Sequence, residues 1–155
     1  MKAMILYYSK TGHTLEAVKA TAEGVRSAGA EVDLVSVSDF QPAALADYDA
    51  LIVGSPCWAG SITPGGLANA VRQALNSLPT DCLKGKRCGG ISVHAMKGGE
   101  TTVRTLGKLL SQKGCQDYRP GPVAKAGVPF SIWRGPSVGP QDEERFKAFG
   151  TGFVS

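Results

Sequence analysis

The stretch that decides the fold is Met4–Thr14, which reads MILYYSKTGHT. It begins as a continuous apolar run and breaks at Ser9 into hydroxylated residues and a glycine, before apolar residues at helical spacing begin at Leu15. This order predicts a buried strand, a tight turn and a helix. The unpaired N–H groups and positive dipole end of such a helix, with the hydroxyls of the turn, predict a phosphate-binding loop over Ser9–Thr14. The alternative is an ordinary turn with a Ser or Thr cap.

Apolar runs and helical spacing alternate along the rest of the chain. The predicted strands are Lys2–Tyr8, Glu31–Val37, Ala50–Ser55, Arg87–Val93 and a weaker one within Cys115–Val128. Helical spacing recurs over Leu15–Val25, Leu67–Leu75, Val103–Leu110 and Phe146–Phe149, whereas Ser38–Asp47 is predicted as a loop or a poor helix. The clearest strands are continuous rather than alternating, which is typical of parallel strands covered on both faces. We therefore predict an α/β fold, a doubly wound parallel sheet in one domain over residues 1–155.

Three loops of such a fold lie on one edge of the sheet, where ligands bind. They are Ser9–Thr14, Ser55–Gly65 and His94–Gly99. Trp58, in the second loop, predicts stacking on a flat ligand, or else a cover over the sheet edge. The pair Gly98-Gly99 permits close approach of backbone amides to a ring, or else forms a turn that caps the next helix. Together the three loops predict a site for a mononucleotide with a planar ring.

These features resemble those of the flavodoxin family, and the resemblance covers nearly the whole chain. Ser9–Thr14 is similar to that family's phosphate loop, [T/S]-x-T-G-x-T, and Tyr48–Pro56 is similar to its third strand and the loop after it. Trp58 stands where the family often places a tryptophan against the isoalloxazine ring, and Gly139–Gly150 resembles the family's usual ending. The resemblance implies five strands in the order 2-1-3-4-5, FMN bound non-covalently, and transfer of one or two electrons.

The resemblance also implies which residues bind the cofactor. They are Ser9, Lys10, Thr11, Gly12, His13 and Thr14 in the first loop, Ser55, Pro56, Cys57, Trp58, Ala59 and Gly60 in the second, and His94, Ala95, Met96, Gly98 and Gly99 in the third. No residue is assigned to catalysis or to a metal. Cys57 is interpreted as a small residue that fills its loop, with a redox thiol near the flavin as the alternative.

Two departures from the family pattern matter. The third loop holds His94 and Met96 where flavodoxins usually carry a tyrosine over the outer face of the flavin. That face is therefore expected to be open, or covered by another segment or a partner. The chain has a net charge of +4, whereas flavodoxins are typically acidic. Lys10 and Lys97, if they flank the flavin, are expected to make the midpoint potential for formation of the fully reduced flavin less negative.

Composition and charge exclude several classes of protein. No apolar stretch approaches the ~20 residues that span a bilayer, and the apolar start is too short for a signal peptide, so we expect a cytoplasmic protein without membrane insertion. The four cysteines include no C-x-x-C pair, which argues against a structural zinc site and a thioredoxin-type pair. Thirteen of the 17 Lys and Arg residues lie beyond residue 60 but are scattered, so we expect an acidic partner surface rather than nucleic acid.

Three hypotheses follow for the function. The favoured one is an electron carrier that shuttles electrons between a reductase and an acceptor protein, because no acid–base pair stands out. The second is a small FMN-dependent reductase that admits a quinone or similar acceptor, with His94 as proton donor, although a plain loop contact is the favoured interpretation of His94. The third is an interaction module without FMN. Motifs of receiver domains, P-loop NTPases and dinucleotide folds are absent from the corresponding loop and strand ends.

Overall fold

The computed structural model describes residues 1–10, 12–57, 67–94, 98–126 and 138–155. Within these ranges strands and helices alternate as the sequence predicts. In chain order the elements are β1 (Lys2–Tyr7), α1 (His13–Ser27), β2 (Glu31–Ser36), a 3₁₀ helix (Pro42–Asp47), β3 (Ala50–Cys57), α2 (Asn69–Asn76), β4 (Arg87–His94), α3 (Gly99–Gln112), β5 (Asp117–Lys125) and α4 (Pro140–Phe153).

All five strands are parallel and lie in the order β2-β1-β3-β4-β5, which confirms the predicted doubly wound sheet. Tyr7, the last residue of β1, pairs with Gly54 of β3. Strand β3 continues for three residues beyond that point and pairs its last residue, Cys57, with His94 of β4. His94 in turn pairs with Lys125 of β5. Strands β3 and β4 therefore extend further at their carboxyl ends than β1 does, and this edge of the sheet is stepped.

The sheet separates two apolar layers, because alternate residues of a strand point to opposite faces. One buried cluster joins α1 and α4 to the sheet and includes Ile5, Val18, Ile52, Ile91 and Phe146. The other joins α2 and α3 to the opposite face and includes Leu6, Leu51, Val71, Leu106 and Leu110. Each of these side chains contributes about 1.5–3 kcal/mol to the stability of the fold when fully buried, so the two layers supply most of the favourable free energy of folding.

Helices α1 and α4 touch backbone to backbone. A Cβ built on Gly24 would lie 1.9 Å from the carbonyl oxygen of Lys147, and one built on Gly150 would lie 2.1 Å from that of Thr21. The hydroxyl of Thr151 donates across the crossing to the carbonyl of Gly24, at 3.1 Å. Glycine is required at both positions because any side chain would force the helices apart.

The differences from the predicted bounds that bear on the site lie at β3 and α2. Strand β3 runs to Cys57 rather than ending at Ser55, because it pairs with β4 along its whole length. Leu67 stands before α2 rather than inside it, since its backbone forms an antiparallel bridge with Cys57. The segment Ser38–Asp47, predicted as a loop or a poor helix, contains a 3₁₀ helix over Pro42–Asp47 that buries Leu45, in agreement with that prediction. Among the described residues, no helix is both long enough and apolar enough to cross a bilayer.

Candidate cofactor-binding site

The first predicted loop turns on Gly12, which has φ of 95° and forms the N-cap of α1. This left-handed conformation is strained for any residue with a side chain, so a glycine is needed for the chain to turn from β1 into the helix. His13 and Thr14, the first helical residues, are buried, with exposed fractions of 4% and 3%. Lys10 is exposed, and Thr11 lies outside the described residues.

The hydroxyl of Ser9 organises this loop. Its Oγ accepts hydrogen bonds from the backbone N–H groups of Gly12, at 3.0 Å, and Leu15, at 3.3 Å. A serine hydroxyl has two acceptor lone pairs and one hydrogen, so the O–H of Ser9 remains available as a donor. The loop therefore joins a hydroxyl donor to the N-terminal turn of a helix, where backbone N–H groups lack intrahelical partners and the dipole is positive.

Glu16 joins the first predicted loop to the segment that leads into α4. Its Oε1 lies 3.4 Å from Nδ1 of His13, and its Oε2 accepts a hydrogen bond of 2.9 Å from the N–H of Val138. Sequence reasoning missed this residue. The available signal was an acidic side chain in the first turn of a helix, directly after the loop, but its partner at position 138 is 122 residues away.

The second predicted loop begins later than expected, because Ser55, Pro56 and Cys57 belong to β3. Ser55 is fully buried, and its hydroxyl donates to the carbonyl of Pro56, at 2.9 Å, and accepts from the N–H of Ala68, at 3.3 Å. Its side chain therefore holds the start of α2, and the predicted cofactor role of these three residues stays a prediction. Trp58, Ala59 and Gly60 lie outside the described residues.

The third predicted loop starts from His94, the last residue of β4. Its Nδ1 accepts a hydrogen bond of 3.0 Å from the N–H of Gly99, the first residue of α3. Gly98 precedes it with φ of 101° as the N-cap of that helix. The glycine pair thus caps α3, as one of the two interpretations of this pair predicted. Ala95 and Met96 lie outside the described residues.

The structure brings the described members of the three loops to one edge of the sheet. Cys57 pairs with His94, and a Cβ built on Gly98 would lie 2.9 Å from Sγ of Cys57. On the β1 side, Gly54 pairs with Tyr7, and a Cβ built on Gly54 would lie 2.8 Å from Cγ2 of Val18, so the absence of a side chain at 54 allows α1 to approach the sheet. Whether these residues bind a cofactor remains a prediction.

The described residues contain no cluster of three or more His, Cys, Asp or Glu side chains arranged to hold a metal ion. All four cysteines are free thiols. Burial raises the pKa of Cys88, and burial likewise raises the pKa of Cys82 in spite of nearby Lys113 and Lys86. Both thiols therefore stay protonated near neutral pH and are poor nucleophiles.

The fold and this edge of the sheet are those of a flavodoxin-like protein, and the sequence matches the flavodoxin family over residues 5–126. The chain is 34% identical over 127 residues to an NAD(P)H dehydrogenase (quinone) of Bradyrhizobium sp. (strain ORS 278), covering 68% of this chain and 63% of that protein. It is 30% identical over 158 residues to an NAD(P)H dehydrogenase (quinone) of Chromohalobacter salexigens, covering 84% of this chain and 72% of that protein.

Among solved structures, the flavodoxin of Megasphaera elsdenii superposes with a TM-score of 0.76 at 22% identity, covering 98% of each chain. At that identity the likeness establishes the fold alone. The match along residues 5–126 establishes more: the chain belongs to the flavodoxin family, whose members bind FMN. It spans less than two thirds of the length of the Bradyrhizobium relative, at 63%.

Proposed function

We propose that this chain binds FMN non-covalently at the carboxyl edge of the sheet and shuttles electrons between redox protein partners. The observation that carries the proposal is the junction at this edge. Helix α1 begins there at a left-handed glycine, beside the end of β1, and the Gly98-Gly99 backbone lies against the ends of β3 and β4. The start of α1 suits an anion, and the Gly98-Gly99 backbone suits the polar edge of a planar ring.

The donor set of the first loop fits a phosphate group. The N-terminal turn of α1, the O–H of Ser9 and the hydroxyl of Thr14 are all neutral donors, and the helix dipole adds a partial positive charge. The exposed side chain of Lys10 supplies a full positive charge beside them. Thr11 would add a further hydroxyl according to the sequence pattern.

The isoalloxazine ring is assigned to the space between the second and third loops. Gly98 and Gly99 present backbone there without side chains, and Trp58 is expected to stack on one face of the ring. When bound, FMN supplies the transfer of one or two electrons. The residues of this chain bind the phosphate, orient the ring and leave its edge within reach of a partner.

An electron carrier is favoured over an enzyme by the state of the titratable side chains described at this edge. His13 lies beside Glu16, Glu16 binds the backbone of Val138, and His94 binds the backbone of Gly99. Each of these groups is committed to a contact that holds the protein together, and such a group is poorly placed to exchange protons with a substrate. The expected partners are a reductase and an acceptor protein. Their surfaces are expected to be acidic and to complement the excess of Lys and Arg beyond residue 60.

The second candidate is a small FMN-dependent reductase that acts on a quinone or a similar acceptor. The name of the Bradyrhizobium and Chromohalobacter relatives, NAD(P)H dehydrogenase (quinone), favours it. Because this chain spans 63% of the first of them, the residues that bind nicotinamide or quinone in that protein need not have counterparts here.

The decisive experiment starts with the absorbance spectrum of the protein as purified and after dialysis against FMN. Flavin bands that remain with the protein, and tighter binding of FMN than of riboflavin, are the expected result. NAD(P)H oxidation by the FMN-loaded protein with a quinone then separates the two candidates, because a carrier requires a partner reductase and the enzyme does not. Failure to retain FMN would contradict both candidates and favour the interaction module.

A further inference from the structure

We propose that His94 is a positioning residue: its neutral imidazole holds the Gly98-Gly99 backbone at the carboxyl edge of the sheet, and protonation of the ring releases that backbone. The proposal rests on the proposed function, since this backbone is the part of the site assigned to the FMN ring. It assigns His94 a structural, pH-sensitive task in place of the proton-donor role considered from the sequence.

The hydrogen bond at His94 defines the state of the ring. Nδ1 of His94 lies 3.0 Å from the backbone nitrogen of Gly99. A backbone N–H can only donate, so Nδ1 must be the acceptor. In a neutral imidazole one nitrogen carries hydrogen and the other accepts, which puts the proton of His94 on Nε2. A second proton would enter at Nδ1 and turn the hydrogen bond into a clash of two donors.

The glycine pair is enclosed on three sides, so the backbone there responds to a change at His94. A Cβ built on Gly99 would lie 2.7 Å from Nδ1 of His94 and 2.1 Å from Cγ1 of Val123. A Cβ built on Gly98 would lie 2.9 Å from Sγ of Cys57. Side chains of β3, β4 and β5 therefore all touch the pair, and the bond to His94 is a polar contact that orients it.

The N–H of Gly99 depends on His94 for a partner within the protein. It belongs to the first residue of α3, where backbone N–H groups have no carbonyl one turn earlier in the helix. Loss of the bond leaves this donor to water or to a ligand and loosens the first turn. The contacts of Thr102, whose N–H and hydroxyl donate to the carbonyl of Gly98 at 3.1 Å and 3.4 Å, would then remain to hold the start of the helix.

Other charges near the ring come from each neighbouring element. Lys125 pairs with His94 on β5, Cys57 pairs with it on β3, and Glu100 follows Gly99 on α3. Arg145 of α4 reaches the carbonyl of Val123, at 3.1 Å. Because these groups differ in sign, the pH at which the backbone is released is read from experiment.

The first arm of the test uses the ligand-free protein and does not depend on FMN. Nitrogen NMR of the imidazole should report the Nε2–H form at pH 8. Hydrogen exchange at the Gly99 amide should be slowed while the ring is neutral and should accelerate as the ring takes up its second proton. A ring with hydrogen on Nδ1, or exchange at Gly99 that ignores the titration of His94, would overturn the proposal.

The second arm measures FMN affinity from pH 8 to pH 5 for the wild type and for two variants. His94→Asn places an amide oxygen close to the position of Nδ1, so it can accept the same bond without titrating. His94→Ala removes the acceptor. We expect the wild-type Kd to rise roughly fivefold more than that of His94→Asn over this range, and His94→Ala to bind roughly fivefold more weakly than His94→Asn at pH 8.

The comparison with His94→Asn also serves as the control. The FMN phosphate and the other ionisable groups of the protein are shared by the wild type and His94→Asn, so their effects cancel in the difference between the two proteins. Equal pH dependence in the wild type and His94→Asn would overturn the role of His94 even if FMN binds tightly. Absence of FMN binding at every pH would overturn the proposed function instead, and the NMR arm would then decide the role of His94 alone.

Discussion

At the scale of single residues, the hydroxyl of Ser9 connects the end of β1 to the start of α1. It accepts hydrogen bonds from two backbone amides, Gly12 and Leu15, and retains one hydrogen to donate. The sequence pattern predicted that Ser9 contacts a phosphate, and this stays a prediction. It did not reveal that both acceptor positions of the hydroxyl are used within the loop, because that depends on the turn at Gly12.

Replacing Ser9 with alanine should weaken FMN binding about tenfold or more, because a hydrogen bond to a charged phosphate contributes about 1.5–3 kcal/mol. Riboflavin, which lacks the phosphate, should lose much less affinity. Fluorescence titrations with both ligands measure the two effects. Ser27→Ala is the matched control, since it removes a hydroxyl at the other end of α1, where Ser27 donates to Gly24 at 3.0 Å. An equal loss for FMN and riboflavin would place the phosphate elsewhere.

At the scale of elements, two close contacts fix the positions of the helices, one between two helices and one between a helix and the sheet. The crossing of α1 and α4 has a glycine on each side, and Tyr118 of β5 lies beneath α3 with its hydroxyl donating to the carbonyl of Val103, at 2.5 Å. A Cβ on Gly107 would lie 2.7 Å from that tyrosine ring. The apolar spacing of the helices was sufficient to predict that they form. It carried no information on which positions must stay free of side chains.

The helix crossing can be tested with two glycines of the same helix. Gly150→Ala should lower the free energy of unfolding by about 1–3 kcal/mol, because its Cβ would overlap the carbonyl of Thr21. Gly152→Ala is the control: a Cβ there meets nothing within 4 Å, so alanine should be neutral or stabilise by up to about 1 kcal/mol. Urea denaturation of both variants measures the difference. Equal stability of the two would contradict the close crossing.

Strand β5 illustrates how an edge of the sheet is protected. It is the last strand in the described sheet and contains Pro120 and Pro122, which have no N–H to offer to another strand. The pairing of β4 with β5 shifts register between Gly90 and Ser92. Prolines and an irregular ladder together disfavour edge-to-edge association.

At the scale of the whole molecule, Arg87 ties the start of β4 to β5 and to the end of the chain. Its guanidinium donates to the carbonyls of Phe153, at 2.6 Å, and Ser155, at 3.3 Å, and to the carboxylate of Asp117, at 3.0 Å. The hydrogen bond from Arg87 holds the pKa of Asp117 below its usual value. Since the folded pKa is the lower one, this contact stabilises the fold above the ordinary pKa of aspartate and is lost as pH falls through the folded value.

Arg87→Ala should lower the free energy of unfolding by about 1–3 kcal/mol at pH 7, because it removes charged hydrogen bonds to the carbonyls of Phe153 and Ser155 and frees the end of α4. Arg104→Ala, at an exposed position of α3, should change stability by less than about 0.5 kcal/mol. Thermal denaturation at pH 7 compares the two. Hydrogen exchange in α4 should rise only in the Arg87 variant, and unchanged exchange there would contradict the proposed tie.

The net charge of +4 bears on the redox chemistry expected of the bound flavin. A positive surrounding stabilises the anion formed on full reduction, so the midpoint potential should be less negative than in flavodoxins with acidic surfaces. Spectroelectrochemical titration measures it. Lys10→Gln should shift the potential to more negative values, whereas Lys84→Gln, which removes an equal charge before the start of β4, should not. A strongly negative potential in the wild type, insensitive to added salt, would contradict this expectation.

The alternation of strands and helices and the burial of both sheet faces could be predicted from the sequence, because apolar periodicity and turn chemistry are properties of neighbouring residues. Which loop atoms meet depends on the tertiary structure. The pairing of Cys57 with His94 follows from the register of β3 on β4, and the bond between Glu16 and Val138 joins residues 122 positions apart. Such contacts depend on which elements become neighbours in space, and that choice is made by packing the whole chain.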